Sequence, residues 1–366
     1  MPTWTDTDHQ FMLEALELAF QGCGLVSPNP MVGAVLVKNG RVVGRGYHRR
    51  FGSAHAEIEA IRDAGKNARG STLYVTMEPC CFEGKTPACT NAVINAGIKR
   101  VVAAMLDPNP RVNGKGVKCL RRQGIEVAVG LLKQQAQRLN EAYVTFMKEH
   151  RPFVILKVAS TLDGMIATEE GDSQWLTGER ARATGQLLRL MADAILVGVN
   201  TVLKDNPRLT CRLNAEKKLL RVILDSNLRL PVQSRLFQEP GPVLVFTATR
   251  QEERIKRLER IGAQVIRVRQ ERKGRLNWQD ILNELYHRQI TSLLIEGGAT
   301  VVSSALEAGL VDKAYFFQAP KILGPGRLFS IGLKPRTLRT ALTLKDVRHI
   351  ELGDDILTEG YVYRFS

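Results

Sequence analysis

The sequence predicts an α/β protein of two domains, residues 1–148 and 149–366, and three features carry that reading. The chain has 366 residues, too many for one ordinary core and enough for two. Its first part runs helix, hairpin, then alternating helices and strands, the order of a three-layer α/β/α domain. After the charged, proline-ended segment Lys148-Glu149-His150-Arg151-Pro152 the pattern restarts with a strand. It then alternates in the way that builds a mostly parallel sheet.

The elements follow in order. Residues 8–22 carry apolar side chains at helical spacing and stop at Gly22. Ser27-Pro28-Asn29-Pro30 breaks the chain. Residues 31–37 (MVGAVLV) read as a buried strand, Lys38-Asn39-Gly40-Arg41 as a hairpin turn, and 42–47 as the return strand. A helix is expected from His55 to Ala64, a strand over 72–76, a helix over 87–97 and a strand over 100–105. One more helix and a strand over 125–129 complete the domain. In the second half, strands are expected at 153–158, 194–198, 221–225, 243–247, 292–296 and 314–318. Helices are expected at 178–191, 251–260, 277–288 and 299–308. No internal repeat or low-complexity segment interrupts them.

Composition narrows the function. With 44% hydrophobic and 24% charged residues, both halves can bury sizeable cores. No apolar run approaches the roughly 18–20 residues that cross a bilayer, so no membrane partner is expected. The first ten residues do not read as a signal peptide, and a cytoplasmic location is expected. A disulfide framework is not expected among the six cysteines of so large a chain. Three of them, Cys80, Cys81 and Cys89, cluster in one short segment, which points to metal or redox chemistry. The net charge of +15 divides into +6 for residues 1–150 and +9 for the rest. A solvated basic surface, anionic metabolites and nucleic acid all fit that charge.

The strongest chemical signal is His55-Ala56-Glu57 followed by Glu78-Pro79-Cys80. A zinc deaminase needs three protein ligands, an open position for water, and a carboxylate that moves protons without binding the metal. His55 and Cys80 suit as ligands and Glu57 as the proton shuttle. The third ligand departs from the common P-C-x-x-C spacing, because the run here is P-C-C-F-E-G-K-T-P-A-C. Adjacent side chains diverge, so a Cys80–Cys81 pair is poor geometry. Cys89, just inside the expected helix, is the better third ligand. The intervening Gly84-Lys85-Thr86 then loops out and sets Lys85 beside the pocket, where it could meet a substrate phosphate. Asn29 suits either an amide that reads the heterocycle or a plain turn residue.

These residues resemble the cytidine deaminase-like superfamily. The extended P-C-x-x-x-G-K-T-P-x-C run, with P-N-P-M-V-G and H-A-E, narrows the resemblance to the bifunctional deaminase–reductases of riboflavin biosynthesis. The second half is similar through K-V-A-S-T-L-D-G (157–164), G-D-S-Q-W (171–175), V-G-V-N-T-V-L-K-D-N-P-R-L-T (197–210) and I-E-G-G (295–298). The resemblance implies a cytidine deaminase-like three-layer domain followed by a dihydrofolate reductase-like α/β domain, with Zn(2+) and NADPH as cofactors. It also implies two reactions on a phosphorylated pyrimidine. One removes the 2-amino group of 2,5-diamino-6-(5-phosphoribosylamino)pyrimidin-4(3H)-one. The other uses NADPH to reduce the ribosyl group to ribityl. Nucleic acid is not an expected partner, and a homo-oligomer is.

No G-x-G-x-x-G follows a strand, so the Rossmann fingerprint is absent. Ile295-Glu296-Gly297-Gly298 instead runs from a strand into a helix, where free N–H groups can meet a pyrophosphate; a plain strand-to-helix turn reads the same way. The resemblance implies NADPH contacts at Ala159, Trp175, Thr201, Asp205, Ser226, Gly298, Ala299, Thr300, Val301, Val302, Ser303 and Ser304. It implies substrate contacts at Ser173, Arg189, Leu209, Arg212 and Glu296, with Arg189 and Arg212 clamping the ribose phosphate. Without the resemblance, Trp175 reads as core and each arginine as surface. Lys157 and Glu296 are candidates for the proton and polarising work at the ribose carbon, or else a simple ion pair. The rival reading is a nucleic-acid base deaminase with an accessory α/β domain.

Overall fold

The computed structural model describes residues 4–82, 88–271, 274–334 and 336–363. The chain divides between His150 and Arg151 into two compact units, against an expected boundary between 148 and 149. None of the helices described is long and apolar enough to cross a membrane.

The first unit contains α1 (Asp6–Phe20), β1 (Gly33–Lys38), β2 (Arg41–Tyr47), α2 (Ala56–Ala64), β3 (Thr72–Val75), α3 (Cys89–Asn95), β4 (Arg100–Ala103), α4 (Lys115–Arg122), β5 (Glu126–Val129), α5 (Lys133–Leu139) and α6 (Glu141–Glu149). The strands form one sheet in the order β2-β1-β3-β4-β5. The β1–β2 and β1–β3 pairs are antiparallel, and β3–β4 and β4–β5 are parallel. Alternation along the strands makes the three layers. Ala34 and Leu36 of β1 pack with Ala56, Ala60, Val93 and Leu120 from α2, α3 and α4. Val35 and Val37 pack on the other face with Met12, Ala15, Ala136 and Tyr143 from α1, α5 and α6. Thr5 caps α1 in a capping box completed by Asp8, which also accepts a 2.6 Å hydrogen bond from the Tyr74 hydroxyl and so pins the helix to β3. Gly44 and Gly46 let α2 lie directly on β2: a Cβ at either would collide with backbone atoms of Ala56 or Ala60.

The second unit contains β6 (Phe153–Thr161), β7 (Met165–Thr168), α7 (Glu179–Met191), β8 (Ala194–Gly198), α8 (Val199–Asp205), β9 (Leu220–Leu224), β10 (Val243–Thr247), α9 (Glu252–Glu259), β11 (Ala263–Arg267), α10 (Trp278–His287), β12 (Ser292–Gly297), α11 (Ala299–Glu307), β13 (Lys313–Ala319), β14 (Gly326–Leu328), β15 (Thr343–Leu352) and β16 (Asp355–Tyr363). Nine strands form one sheet in the order β11-β10-β9-β8-β12-β6-β13-β16-β15. Pairs from β11 through β13 are parallel, and β16 and β15 close the edge antiparallel. A separate pair joins β7 to β14.

Every strand and helix expected from the sequence is present within a few residues. Five of the described strands lie beyond that expectation: the edge strand β11, the two members of the small β7–β14 pair, and the β15–β16 hairpin. The hairpin escapes pattern reading for a physical reason. Leu344, Val347 and Ile350 recur every three residues, a helical spacing, because a β-bulge shifts the register between Lys345 and Arg348. The strand is also largely solvent-exposed, so no core selects an alternating pattern.

Candidate active sites

In the first unit, two helix starts and one turn bring the predicted ligands together. His55 is the N-cap of α2, in extended backbone (φ −76°, ψ 162°). Cys89 is the first residue of α3. Cys80 lies between β3 and α3. His55 Nδ1 stands 3.2 Å from Cys89 Sγ and 3.7 Å from Cys80 Sγ. The three donor atoms lie within 4.8 Å of one another. One imidazole and two thiols at this spacing are a donor set that fits zinc and leaves a fourth position open. The electrostatics agree. Hydrogen bonding with Cys89, then with His55, holds the Cys80 thiol well below the usual range. Its hydrogen bond with Cys80 and its burial push Cys89 up.

Cys81 does not join the group. Burial, then the Glu78 carboxylate nearby, raises its thiol. Lys85 lies outside the described residues.

Glu57 is 3% exposed, and burial pushes its carboxyl up to about 7, against the pull of His55. It lines a cavity of about 240 Å³ with His55, Cys80 and Asn29. Asn29 thus faces the same space as the metal group. His48, buried beside it, hydrogen-bonds the Ala54 carbonyl through Nδ1 (3.1 Å) and Asn29 Nδ2 through Nε2 (3.1 Å). Nδ1 must donate to a carbonyl, so neutral His48 accepts from the amide and fixes which way Asn29 is turned. Burial lowers the His48 pKa, which favours that neutral form.

Sequence reasoning missed His48, Asp107, Asn109 and Tyr143, which also line this cavity. Asp107 accepts from the Tyr143 hydroxyl (3.0 Å) and the Asn109 amide (2.8 Å), and burial pushes it up to about 6. A signal was available. Pro-Asn-Pro occurs at 28–30 and again at 108–110, just past β4, and ligands gather beyond the carboxyl ends of such strands.

In the second unit, a cleft of about 730 Å³ is lined by residues from β6, β12, β8 and the segment after β9. Gly298, with φ +85°, turns the chain from β12 into α11, a conformation in which glycine is favoured. Of the expected residues, Lys157, Ala159, Ser173, Thr201, Asp205, Ser226, Glu296, Gly298, Ala299, Thr300, Val301, Val302 and Ser304 line the cleft. A register shift between Ile295 and Gly297 re-aims Glu296 at the end of β12.

Several of the expected residues stand elsewhere than on the cleft wall. Ser303 is fully buried, donates to the Ala299 carbonyl and accepts from the Ile331 amide, and is not on the cleft wall. Trp175 lies off the cleft wall and is not core. It is 63% exposed and stacks under Arg182 at 4.9 Å. Leu209 and Arg212 are also off the wall. Arg189 is committed elsewhere: Nε and Nη2 grip Glu296 at 2.8 and 2.6 Å, and Nη1 donates to the Thr210 carbonyl. A joint phosphate clamp by Arg189 and Arg212 does not match that arrangement. Glu296 therefore pairs with Arg189 and not with Lys157. Lys157 is mid-strand in β6 and comes level with Glu296 because Leu156 pairs with Ile295. Burial lowers its pKa, against the pull of Glu296.

The two sites define a class: a metal-group deaminase centre followed by a nucleotide-sized reductase cleft. Residues 5–105 match the family model described as the cytidine and deoxycytidylate deaminase zinc-binding region. Residues 152–358 match the RibD C-terminal domain. The riboflavin biosynthesis protein RibD of Aquifex aeolicus (strain VF5) is 44% identical over 355 residues, 96% of this chain and 98% of that protein. That of Escherichia coli (strain K12) is 39% identical over 365 residues, 95% and 98%. Among solved structures, Acinetobacter baumannii RibD superposes with a TM-score of 0.89 at 36% identity, covering 98% of this chain and 99% of that one. A Thermotoga maritima diaminohydroxyphosphoribosylaminopyrimidine deaminase/5-amino-6-(5-phosphoribosylamino)uracil reductase gives 0.86 at 39%, with the same coverage. The chain belongs to the RibD family of bifunctional deaminase–reductases in riboflavin biosynthesis. Its fold is cytidine deaminase-like followed by dihydrofolate reductase-like, and its cofactors are zinc and NADPH. The rival reading as a nucleic-acid base deaminase gives way to this family.

Proposed function

We propose that the first domain deaminates 2,5-diamino-6-(5-phosphoribosylamino)pyrimidin-4(3H)-one and that the second reduces the resulting 5-amino-6-(5-phosphoribosylamino)uracil. The observation that carries this is the joining of the His55–Cys80–Cys89 group and buried Glu57 in one small cavity. When bound, zinc supplies Lewis acidity toward water and NADPH supplies a hydride; the chain does the rest. His55, Cys80 and Cys89 hold the metal. Glu57 takes the proton of the attacking water and delivers it to the departing ammonia. Asn29, turned by His48, and Asp107 with Asn109 orient the pyrimidine. In the reductase, a hydride must reach ribose C1 while a proton reaches the oxygen released from it. Lys157, on the cleft wall with a lowered pKa, is the proton donor. Arg189 holds Glu296 toward the substrate, and Arg212 is left for the phosphate.

The protein is further proposed to be a cytoplasmic homo-oligomer without a nucleic-acid partner. The exposed ten-residue edge strand β15, carrying Val347 and Ile350, supports self-association. Light scattering of the purified chain tests it. For the two reactions, mass spectrometry of products from the diaminopyrimidine phosphate is decisive. A deaminated uracil is expected without NADPH and its ribityl form with NADPH; unaltered substrate in both would refute the assignment.

A further inference from the structure

The cleft crosses the sheet in the order β6, β12, β8, β9. Three strand intervals are about 14 Å, so its two ends serve different parts of a long ligand. Lys157 and Glu296 mark the reacting end, on β6 and β12. Gly297, Gly298 and the start of α11 follow, where free N–H groups suit a pyrophosphate. The far end lies past β9, at Ser226, Asn227 and Arg229, and faces Gly274 and Arg275 on the opposite wall. Ser226 Oγ donates to the Gly274 carbonyl at 2.9 Å and ties these walls together. On the reading of the cleft as the NADPH site, this end would take the adenosine of the dinucleotide.

What stands there discriminates between dinucleotides. In dinucleotide sites an acidic residue holds the free ribose hydroxyl of NAD, whereas a nearby arginine accommodates the 2′-phosphate of NADP. Asp225 follows β9 immediately, yet its carboxyl is turned inward. It is 0% exposed, Oδ2 accepts from the Leu230 amide at 2.8 Å, and Oδ1 has no hydrogen bond among the described residues. Arg229 Nε stands 3.9 Å from that Oδ1, and Nη2 donates to Asn200 Oδ1 at 2.9 Å. The Arg229 side chain is 48% exposed and lines the cleft, whereas Asp225 does not. The acid is thus withdrawn and covered by the arginine, and the wall presents a cation. Arg275 is less available, since Nη1 is held by Glu307 at 2.5 Å.

We propose that Arg229, seconded by Arg275, reads the 2′-phosphate of the cofactor and makes this reductase select NADPH over NADH. The inference rests on the reading of the cleft as the NADPH site. Calorimetric titration of the full chain tests it without turnover, using NADPH against NADH and adenosine 2′,5′-bisphosphate against 5′-AMP. The native chain should prefer the 2′-phosphorylated member of each pair. Arg229→Gln should lower that preference about tenfold to a hundredfold, the range of one charge-assisted contact, and leave NADH binding unchanged. Arg275→Gln should lower it less. Equal losses for NADPH and NADH would show that Arg229 only neutralises Asp225, and would overturn the proposal. If Arg229→Gln fails to fold, Arg229→Lys keeps the charge over Asp225 but loses the fork. Its preference should still fall, and an unchanged preference in that folded variant would overturn the proposal. Native chain that binds neither dinucleotide would remove the cleft assignment itself.

Discussion

In the first domain the chemistry is gathered on three donor atoms within 4.8 Å, supplied by His55, Cys80 and Cys89. In the second it is spread along a cleft whose walls come from residues as far apart as Lys157 and Ile331. A metal centre demands particular elements, nitrogen and sulfur, at fixed separations, so few residue types can build it. A dinucleotide cleft demands backbone amides, glycines and shape, which many sequences supply. The first kind of site therefore tolerates no loss of a ligand, and the second loses function in graded steps.

That contrast can be broken at its strongest point. We expect about one zinc per chain, with Cys89→Ala abolishing metal content and Cys81→Ala leaving it intact, as elemental analysis would show. Retention by the first variant and loss by the second would exchange the two cysteines. Chelation of the zinc should stop ammonia release and leave the reductase active when the deaminated intermediate is supplied. Glu57→Gln should keep the metal and fold, yet slow deamination by roughly 10²–10⁴-fold, the usual contribution of general acid–base catalysis. Undiminished ammonia release would remove Glu57 from the mechanism.

In the second domain the expected effects are smaller and separable. Arg189→Ala leaves the carboxylate of Glu296, whose side chain is only 9% exposed, without its bidentate partner. Breaking such a pair costs about 3–5 kcal/mol. Denaturant unfolding of the second unit should show that loss, and Arg189→Ala with Glu296→Gln should recover part of it. Arg212→Ala should instead leave stability alone and raise the Michaelis constant for the intermediate, by roughly 1.5–3 kcal/mol of lost phosphate binding. A greater effect on NADPH than on substrate would place a different ligand at Arg212.

The same contrast explains what was legible in the sequence. His55, Glu57, Cys80 and Cys89 were readable because spacing and residue type specify a metal site together. His48 was not, since its role lies in a hydrogen bond to Asn29, nineteen positions away in the chain. Ser303 stands apart from its neighbours because a contiguous run on a helix cannot all face one side; its hydroxyl accepts from the Ile331 amide. Arg189 was named as a site residue, but its pairing with Glu296 was not legible, since no pattern reveals that Glu296 is aimed at it across the strand end. The β15–β16 hairpin went unread because its bulge disguises a strand as a helix.

Two residues with no side chain are the least conspicuous determinants of the deaminase. Gly44 and Gly46 sit on β2, and neither lines the cavity. Yet the helix that begins immediately after His55 rests on them, and any added carbon would lift it. A selection for riboflavin auxotrophs should therefore recover alanine and serine at these positions, with ammonia-releasing activity and metal content lost together. To a geneticist such alleles would look unrelated to the chemistry, although they shift His55 away from its two cysteines as surely as a change in a ligand.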